Sequence, residues 1–297
     1  MNESGMGPVV VGFDGSDHAR AAVDWAAREA QLRGLPLALV TAFAPPVGGS
    51  SFGFGAYLSP AALDDVTRRV QEDLDKAADE IRRQFPGLEV EARVLLGSPA
   101  SALVESSEGA TLAVVGSRGL GGFRGLLLGS VGVQVATHSM CPAVVVRKAP
   151  PNDARTVVVG VDGSAVSMAA VEFAFDMASR HGWSVRAVHA WEVPSYDVLA
   201  APNGAPPLSV DDLLEAEVRV PAEAVAGLRD RYPDVAVEEK VVKGASTRVL
   251  LDESKDAALI VVGSRGRGEF TGALLGSVGQ GVLHRAEVPV AVVGDTS

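Results

Sequence analysis

A glycine-rich passage occurs twice in this 297-residue chain, and its residue types and spacing could hold a phosphate group. Each copy reads Gly, two residues, Gly, nine residues, Gly-Ser. Glycines at a strand exit permit a positive φ and let a ligand approach bare backbone. The Gly-Ser pair would open a helix, where unpaired amides, the positive end of the helix dipole and a hydroxyl donor attract an anion. The positions are Gly116, Gly119, Gly129 and Ser130 in the first copy and Gly263, Gly266, Gly276 and Ser277 in the second.

The same residues also have a purely structural interpretation. Glycines between a strand and a helix can serve only a tight turn, and Ser130 can serve only as an N-cap. The spacing is kept in both copies while surface positions around it differ, which favours phosphate binding. A recent duplication would preserve the spacing without any function, so the structural alternative stays open.

An aspartate near the start of each half is the second candidate for chemistry. Asp14 begins "DGS" after an apolar run, and Asp162 begins the same triplet in the second half. A carboxylate there could accept hydrogen bonds from a sugar hydroxyl or hold a divalent metal beside phosphate. Equally, the aspartate could cap the following helix, and Asp-Gly-Ser is favourable turn chemistry. The residues alone do not separate these readings.

These loops belong to a tandem duplication. "VVVGFDGS" (Val9 to Ser16) returns as "VVVGVDGS" (Val157 to Ser164), and "RRQFPGLEV" from Arg82 matches "RDRYPDVAV" from Arg229. The offset between matching residues is 147 or 148. We therefore predict two domains, residues 1–150 and 151–297, cut near Pro150.

Each half alternates short β-branched runs with longer helical patterns, which is typical of a parallel sheet with crossover helices. We predict an α/β protein of two repeated, doubly wound, five-stranded and mainly parallel sheets of Rossmann-like type. In such sheets ligands bind beyond the carboxyl ends of the strands, where strand order reverses. If the first and fourth strands are neighbours, the Asp-Gly-Ser and glycine-rich loops converge on one crevice.

Composition excludes several functional classes. A net charge of −11 and the lack of a basic patch argue against nucleic-acid binding. No apolar run reaches the ~20 residues that span a bilayer, and "MNESGMGP" does not resemble a secretory signal. A single cysteine, Cys141, excludes an intrachain disulfide framework and fits a reducing cytosol, so we expect a cytoplasmic protein.

No catalytic constellation stands out. Neither glycine loop ends in the Lys of a P-loop, and metalloprotease, nucleophile-elbow and protein-kinase signatures are missing. The histidines are predicted to be structural: His18, His138, His181, His189 and His284. We expect a binder with little or no turnover and no catalytic residue. The alternatives are a slow ATPase or autophosphorylating enzyme and a ligand-free interaction module.

From about Pro8 to Val293 the chain resembles the universal stress protein family in its tandem-domain, ATP-binding form, whose G-2x-G-9x-G-[S/T] pattern both halves match. The resemblance implies an adenine nucleotide alpha hydrolase-like fold and one site per half for ATP or another adenine nucleotide, with Mg²⁺ held through phosphate near Asp14 or Asp162. The implied first site is Gly12, Asp14, Gly15, Ser16, Ala42, Val115, Gly116, Ser117, Arg118, Gly119, Gly122, Arg124, Gly129, Ser130 and Val131. The implied second site is Gly160, Asp162, Gly163, Ser164, Ala190, Val262, Gly263, Ser264, Arg265, Gly266, Gly276, Ser277 and Val278.

The resemblance also implies assembly through the fifth strands. Ala143–Val146 and Val290–Val293 would pair within one chain as a pseudo-dimer, and whole chains could form a homodimer. An otherwise exposed apolar edge strand in each half supports this independently.

Two further features concern the loops of each half: a difference between the two glycine loops, and a long irregular loop after the second strand of each half. Gly122 and Arg124 in the first glycine loop are matched by Glu269 and Thr271 in the second, which predicts weaker polyphosphate binding there if these side chains face inward. The alternative is that they point to water. The loops Pro45–Pro60 and Pro194–Leu208 could act as lids or be inert insertions.

Overall fold

The computed structural model describes residues 6–44, 59–120, 128–192, 210–266 and 275–294. The chain divides into two compact units, Met1–Arg147 and Lys148–Ser297. Their boundary lies close to the cut that the repeat predicts at Pro150.

The first unit is a five-stranded sheet in the order β3-β2-β1-β4-β5, and its described strand pairings are all parallel. The strands are β1 (Val9–Gly12), β2 (Leu37–Phe43), β3 (Val90–Leu96), β4 (Leu112–Gly116) and β5 (Ala143–Val146). The helices are α1 (Asp17–Arg33), α2 (Pro60–Gln84), α3 (Pro99–Ser106) and α4 (Ser130–His138).

The second unit repeats the arrangement in the order β8-β7-β6-β9-β10, again with parallel pairings. Its strands are β6 (Thr156–Gly160), β7 (Ser184–Trp191), β8 (Val237–Lys243), β9 (Leu259–Gly263) and β10 (Val290–Val293). Its helices are α5 (Ala165–His181), α6 (Val210–Arg231), α7 (Ser246–Glu253) and α8 (Ser277–Arg285). The predicted fold class is confirmed.

The central strands form where the sequence is continuously apolar. Val9, Val10 and Val11 of β1 are all at most 1% exposed, because helices cover both faces of a parallel sheet. The helices begin and end at residues suited to those positions. Ser16 caps α1 by accepting a hydrogen bond from the Ala19 amide, and Gly34 ends it in the left-handed conformation.

Every helix in the described ranges is too short or too polar to span a bilayer.

An ion-pair network on the second unit makes its stability depend on pH. Arg186 of β7 donates to Glu238 at 2.8 Å and to Asp256 at 3.1 Å. Hydrogen bonding to Arg186 lowers the pKa of both carboxyl groups below their ordinary values. A depressed folded-state pKa contributes stability above the unfolded-state pKa, and that contribution disappears as pH falls through the folded value. The corresponding residue of the first unit is the buried Ala38, which cannot make these bonds.

We therefore expect the second unit to lose stability below about pH 4 through this network. In Arg186→Ala, which restores the residue of the first unit, the free energy of unfolding should fall less between pH 6 and pH 3 than in the wild type. Because both carboxylates are well exposed, the difference should be about 1 kcal/mol or less for each pair. Urea unfolding at pH 6 and pH 3 measures this difference. Equal decreases in the free energy of unfolding of both proteins would contradict the assignment of the pH dependence to the Arg186 network.

Candidate functional site

Among the described residues, a cavity lies at the carboxyl ends of the strands in each unit. The volumes are about 480 Å³ in the first unit and about 570 Å³ in the second. β1 lies between β2 and β4, so strand order reverses beside it, and β6 has the same place between β7 and β9. The cavities therefore lie at the topological switch point, where open α/β sheets bind ligands.

Most of the residues predicted for the two sites line these cavities. In the first unit they are Gly12, Asp14, Ala42, Val115, Gly116, Arg118, Gly119, Gly129, Ser130 and Val131. In the second they are Gly160, Asp162, Ala190, Val262, Gly263, Arg265, Gly266, Gly276, Ser277 and Val278.

The aspartate carboxylate joins the two loops of each site. Asp14 Oδ1 accepts from the Ser16 amide at 3.0 Å, and Oδ2 accepts from the Leu120 amide at 2.8 Å. A Cβ on Gly119 would lie 2.3 Å from Oδ2, so the carboxylate fills the space that a side chain would need. A side chain at the second glycine of the pattern would therefore displace the aspartate carboxylate from its present position.

The second unit repeats this contact. Asp162 Oδ1 accepts from the amide and the hydroxyl of Ser164 at 2.9 and 2.6 Å, and a Cβ on Gly266 would lie 2.5 Å from Oδ2. The aspartates do not cap the helices. Ser16 and Ser164 are the N-caps, so that alternative is wrong, whereas the expected turn chemistry is present.

The expectation of a positive φ at the strand exit is wrong for Gly116 and Gly263. A positive φ occurs instead in the Asp-Gly-Ser loops, at Gly15 and Gly163, with values of 83° and 78°. Gly116 is needed for space, since a Cβ there would lie 2.7 Å from the carbonyl carbon and oxygen of His18. The glycine lets the start of α1 approach the end of β4.

The Gly129-Ser130 pair begins α4, as predicted, and the structure shows which of the two residues is the N-cap. Gly129 is the N-cap with φ −80° and ψ 156°, and no side chain caps the helix. Ser130 is the first helical residue, so the interpretation of Ser130 as an N-cap is wrong. Gly276 and Ser277 have the same places on α8.

The unpaired amides of this turn belong to residues of the cavity wall. The Gly129 amide donates to Ser117 O at 2.8 Å, but the next three amides have no acceptor within the helix. They belong to Ser130, Val131 and Gly132, and all three residues line the cavity. The matching residues Ser277, Val278 and Gly279 line the second one. Arg118 and Arg265 add a cation to each wall.

His189 holds the backbone next to the second site by hydrogen bonds, which agrees with the structural role expected for it. It is 4% exposed, and its Nδ1 donates to Val161 O at 2.7 Å while Nε2 contacts Glu217 at 2.6 Å. In the first unit Thr41 makes the equivalent contact, because its hydroxyl donates to Phe13 O at 2.7 Å. Both side chains hold the backbone immediately before the aspartate.

Some predicted residues do not line the cavities. Gly15, Ser16, Gly163 and Ser164 form the turns and caps beneath the sites, while Ser117 and Ser264 lie behind the glycine loops. Ser117 is fully buried, and its hydroxyl has no hydrogen-bond partner within the described ranges. Gly122, Arg124, Glu269 and Thr271 lie outside the described residues, as do nearly all of the two proposed lid loops.

The walls supplied by α3 and α7 were not predicted from the sequence. In the first unit these are Pro99 and Leu103, and in the second Ser246 and Leu250. A signal was available, because these helices follow the third strand of each half and must begin at the same edge of the sheet as the ligand loops. Other wall residues that were not predicted are Phe13, Ala19, Val40, Leu128, Gly132, Val161, Ser167, Val188, Leu275, Gly279 and Gln280.

Both units match the same protein-family model. The model of the universal stress protein family matches residues 6–147 and 154–294, one copy in each unit. The chain belongs to the universal stress protein family. The resemblance found on the glycine pattern is thereby confirmed over nearly the whole chain, for a family named for its part in the response to stress.

Relatives of this universal stress protein match it along their full length. A universal stress protein of Mycolicibacterium smegmatis is 37% identical over 290 residues, covering 96% of each chain. One of Mycobacterium tuberculosis is 37% identical over 295 residues, covering 97% of this chain and 96% of the relative. The crystal structure of a universal stress protein from Archaeoglobus fulgidus, 21% identical, superposes with a TM-score of 0.71 over 99% of both chains, which shows the shared fold.

Proposed function

We propose that each unit binds one adenine nucleotide and that the protein is an ATP-binding regulator of the stress response with little or no hydrolysis. One observation carries the proposal. In both units three helix-start amides and an arginine lie on the wall of a cavity at the switch point of the sheet. Unpaired amides at a helix N-terminus are a ready site for phosphate.

The rest of each cavity suits a nucleoside. Volumes of about 480 and 570 Å³ lie within the ordinary range for small-ligand pockets. Apolar side chains such as Leu103 and Leu250 can cover a base, and the backbone at Ala42 and Ala190 can meet its polar edge. Asp14 and Asp162 lie between these regions, where a carboxylate can accept hydrogen bonds from ribose.

The cavity walls explain why we expect little turnover. Among the described wall residues, the groups that ionise are one aspartate and one arginine per site. Each aspartate already accepts hydrogen bonds from its own loops, which leaves it poorly placed to activate a water molecule. Without a group that positions and deprotonates a nucleophile, phosphate binding alone contributes little rate.

Magnesium fits these sites only together with phosphate. Within the described ranges no group of three or more His, Cys, Asp or Glu residues could hold a metal ion. Mg²⁺ often binds through one or two carboxylates, with phosphate oxygens and waters completing its octahedron. Asp14 or Asp162 could supply the single carboxylate, and the ion would neutralise phosphate charge.

The proposal is tested on the full-length protein. The untreated protein is denatured, and the released small molecules are identified by absorbance and mass; the nucleotide-free protein is then titrated with ATP by calorimetry. We expect an adenine nucleotide in the first experiment or two ATP bound per chain in the second. Absence of binding at millimolar ATP would refute the proposal, and turnover near the ~10 s⁻¹ typical of enzymes would refute the binder assignment. The fifth-strand pseudo-dimer, the homodimer and the cytoplasmic location stay predictions.

A further inference from the structure

The backbone before the site aspartate is held by different side chains in the two units. In the second unit His189 of β7 donates from Nδ1 to Val161 O at 2.7 Å, and its Nε2 lies 2.6 Å from Glu217 Oε2 of α6. In the first unit the repeat has Thr41 and Val70 at the positions of the histidine and the glutamate. The Thr41 hydroxyl binds the matching carbonyl, and a valine side chain has no polar atom. The first unit therefore makes the backbone contact without an ionisable pair.

The contact between His189 and Glu217 needs a proton between the two side chains. A carbonyl oxygen only accepts hydrogen bonds, so Nδ1 of the ring carries a hydrogen. A neutral ring would then turn the lone pair of Nε2 toward a carboxylate oxygen 2.6 Å away, and two acceptors repel each other at that distance. The contact is favourable when Nε2 carries a second hydrogen or when the carboxyl group is protonated. In both forms the proton belongs to the pair.

The other charged groups of the neighbouring elements are engaged away from this pair. Side chains alternate along a strand, so Arg186 of β7 and Lys240 of β8 lie on the opposite face of the sheet from His189, with the α7 carboxylate that Lys240 binds. The ion pairs of α5, α6 and β8 on the face of His189 are Glu239–Arg229, Glu172–Arg231, Asp176–Arg180 and Glu215–Arg219. Within the described ranges, Glu217 is the charged group that contacts the His189 ring.

The pair is connected to the second cavity through one peptide group. Val161 and Asp162 both line the cavity, and His189 binds the carbonyl of the peptide that joins them. The N–H of the same peptide donates to the Ser167 hydroxyl at 3.4 Å, and the Asp162 carboxylate accepts from Ser164. The orientation of this peptide, and with it the position of Asp162, therefore depends on the ring. A charged ring holds the carbonyl more firmly than a neutral one, because charge-assisted hydrogen bonds are stronger.

We propose, on the basis of the proposed function, that His189 and Glu217 share a proton which positions the Asp162 loop, so that the second cavity binds nucleotide less tightly as pH rises above neutral. Histidine is the side chain whose charge ordinarily changes between pH 5 and pH 8. Once the shared proton is lost, the lone pair of Nε2 repels the carboxylate of Glu217, which is 28% exposed and can turn toward water. The ring then loses both its charge and the contact that fixes its orientation.

The direction of the effect follows from which state binds. The proton-bound pair holds the loop in the arrangement that lines the cavity, so ATP and the proton favour the same state and each strengthens binding of the other. Affinity is therefore highest at the lower pH and falls as the proton is lost. His189 acts as a positioning residue, since it contacts the backbone of the site. The first cavity, which has Thr41 and Val70 instead, should not show this dependence.

The test measures the ATP affinity of the second cavity at pH 6.5 and pH 9, by calorimetry on the full-length chain without Mg²⁺. Ser130→Pro removes a helix-start amide of the first cavity, so that titration of this variant reports the second. We expect its dissociation constant to rise about 3- to 10-fold between the two pH values, as when a charge-assisted hydrogen bond becomes a neutral one. Adding Glu217→Gln should abolish most of this rise, because a carboxamide accepts from a protonated ring and donates to a neutral one.

Three further variants separate the pair from general effects of pH. Glu215→Gln, at an exposed glutamate of α6 that pairs with Arg219, is the matched control and should leave the rise unchanged. Ser277→Pro leaves the first cavity to be titrated and shows how far the ionisation of ATP itself changes affinity. The double substitution His189→Thr with Glu217→Val supplies the residues of the first unit and should make the second cavity as insensitive to pH as the first.

The outcomes separate the two proposals. An equal rise with and without Glu217→Gln, or a rise in the first cavity as large as that in the second, would overturn the shared proton while leaving nucleotide binding intact. Absence of ATP binding by the wild-type chain at both pH values would overturn both.

Discussion

Replacing Ser130 with proline is expected to weaken ATP binding in the first unit by roughly 10- to 100-fold without disrupting α4. Proline at the first helical position removes one N–H and one hydroxyl that face the cavity, and a hydrogen bond to a charged group contributes about 1.5–3 kcal/mol. Proline is well tolerated at this position, and Pro99 already occupies it in α3. The extended conformation of Gly129, φ −80° and ψ 156°, is the one that a following proline requires.

Calorimetric titration with ATP measures this loss of affinity, and two further variants serve as comparisons. Ser130→Ala removes only the hydroxyl and should cost less than the proline. Ser277→Pro should produce the same loss in the second unit, because Gly276 has nearly the same backbone angles as Gly129. Unchanged affinity in Ser130→Pro, with an unchanged thermal midpoint, would show that these amides do not hold the ligand.

Gly116→Ala should destabilise the first unit by about 1–3 kcal/mol in the free energy of unfolding. The added Cβ would lie 2.7 Å from the backbone carbonyl of His18 and 2.9 Å from the Ala19 amide nitrogen. Backbone atoms cannot rotate away as side chains do, so the start of α1 must move. That movement also displaces the Asp14 loop, and ATP affinity in the first cavity should fall as well.

The repeat supplies a matched comparison. At Gly263 the nearest atom to a new Cβ is Val166 Cγ1 at 3.0 Å, and the nearest backbone atom is Arg265 O at 3.1 Å rather than 2.7 Å, so Gly263→Ala should destabilise less. Gly227→Ala, in α6 with open space around the Cβ, should be neutral or slightly stabilising. Urea unfolding of the three variants measures the order, and a Gly116→Ala protein as stable as Gly227→Ala would disprove the steric explanation.

Much of the site was predictable because it depends on local pattern and on a general rule of topology. Continuous apolar runs such as Val9–Val11 need cover on both faces, and alternating helices supply it. Parallel strands then bring their carboxyl ends to one edge, which places Asp14 beside the glycine loop. The start of α4 at Ser130 follows from the Gly-Ser pair.

Other features depend on distances between residues far apart in the chain. The sequence could suggest that Gly119 faces a ligand, but only the fold shows that the Asp14 carboxylate occupies its side-chain space. Likewise, only the fold shows that Ser246 of α7 and Gln280 of α8 line the same cavity.

The sequence by itself therefore determined the duplicated α/β architecture, the family and the edge of each sheet where a ligand would bind, because periodicity and spacing are local properties of a chain. Only the tertiary structure decided why the first two glycines of each loop leave no room for a side chain, which amides are left unpaired and how the two cavities differ. Those properties arise from contacts of a few ångströms between separate elements, which no single segment specifies.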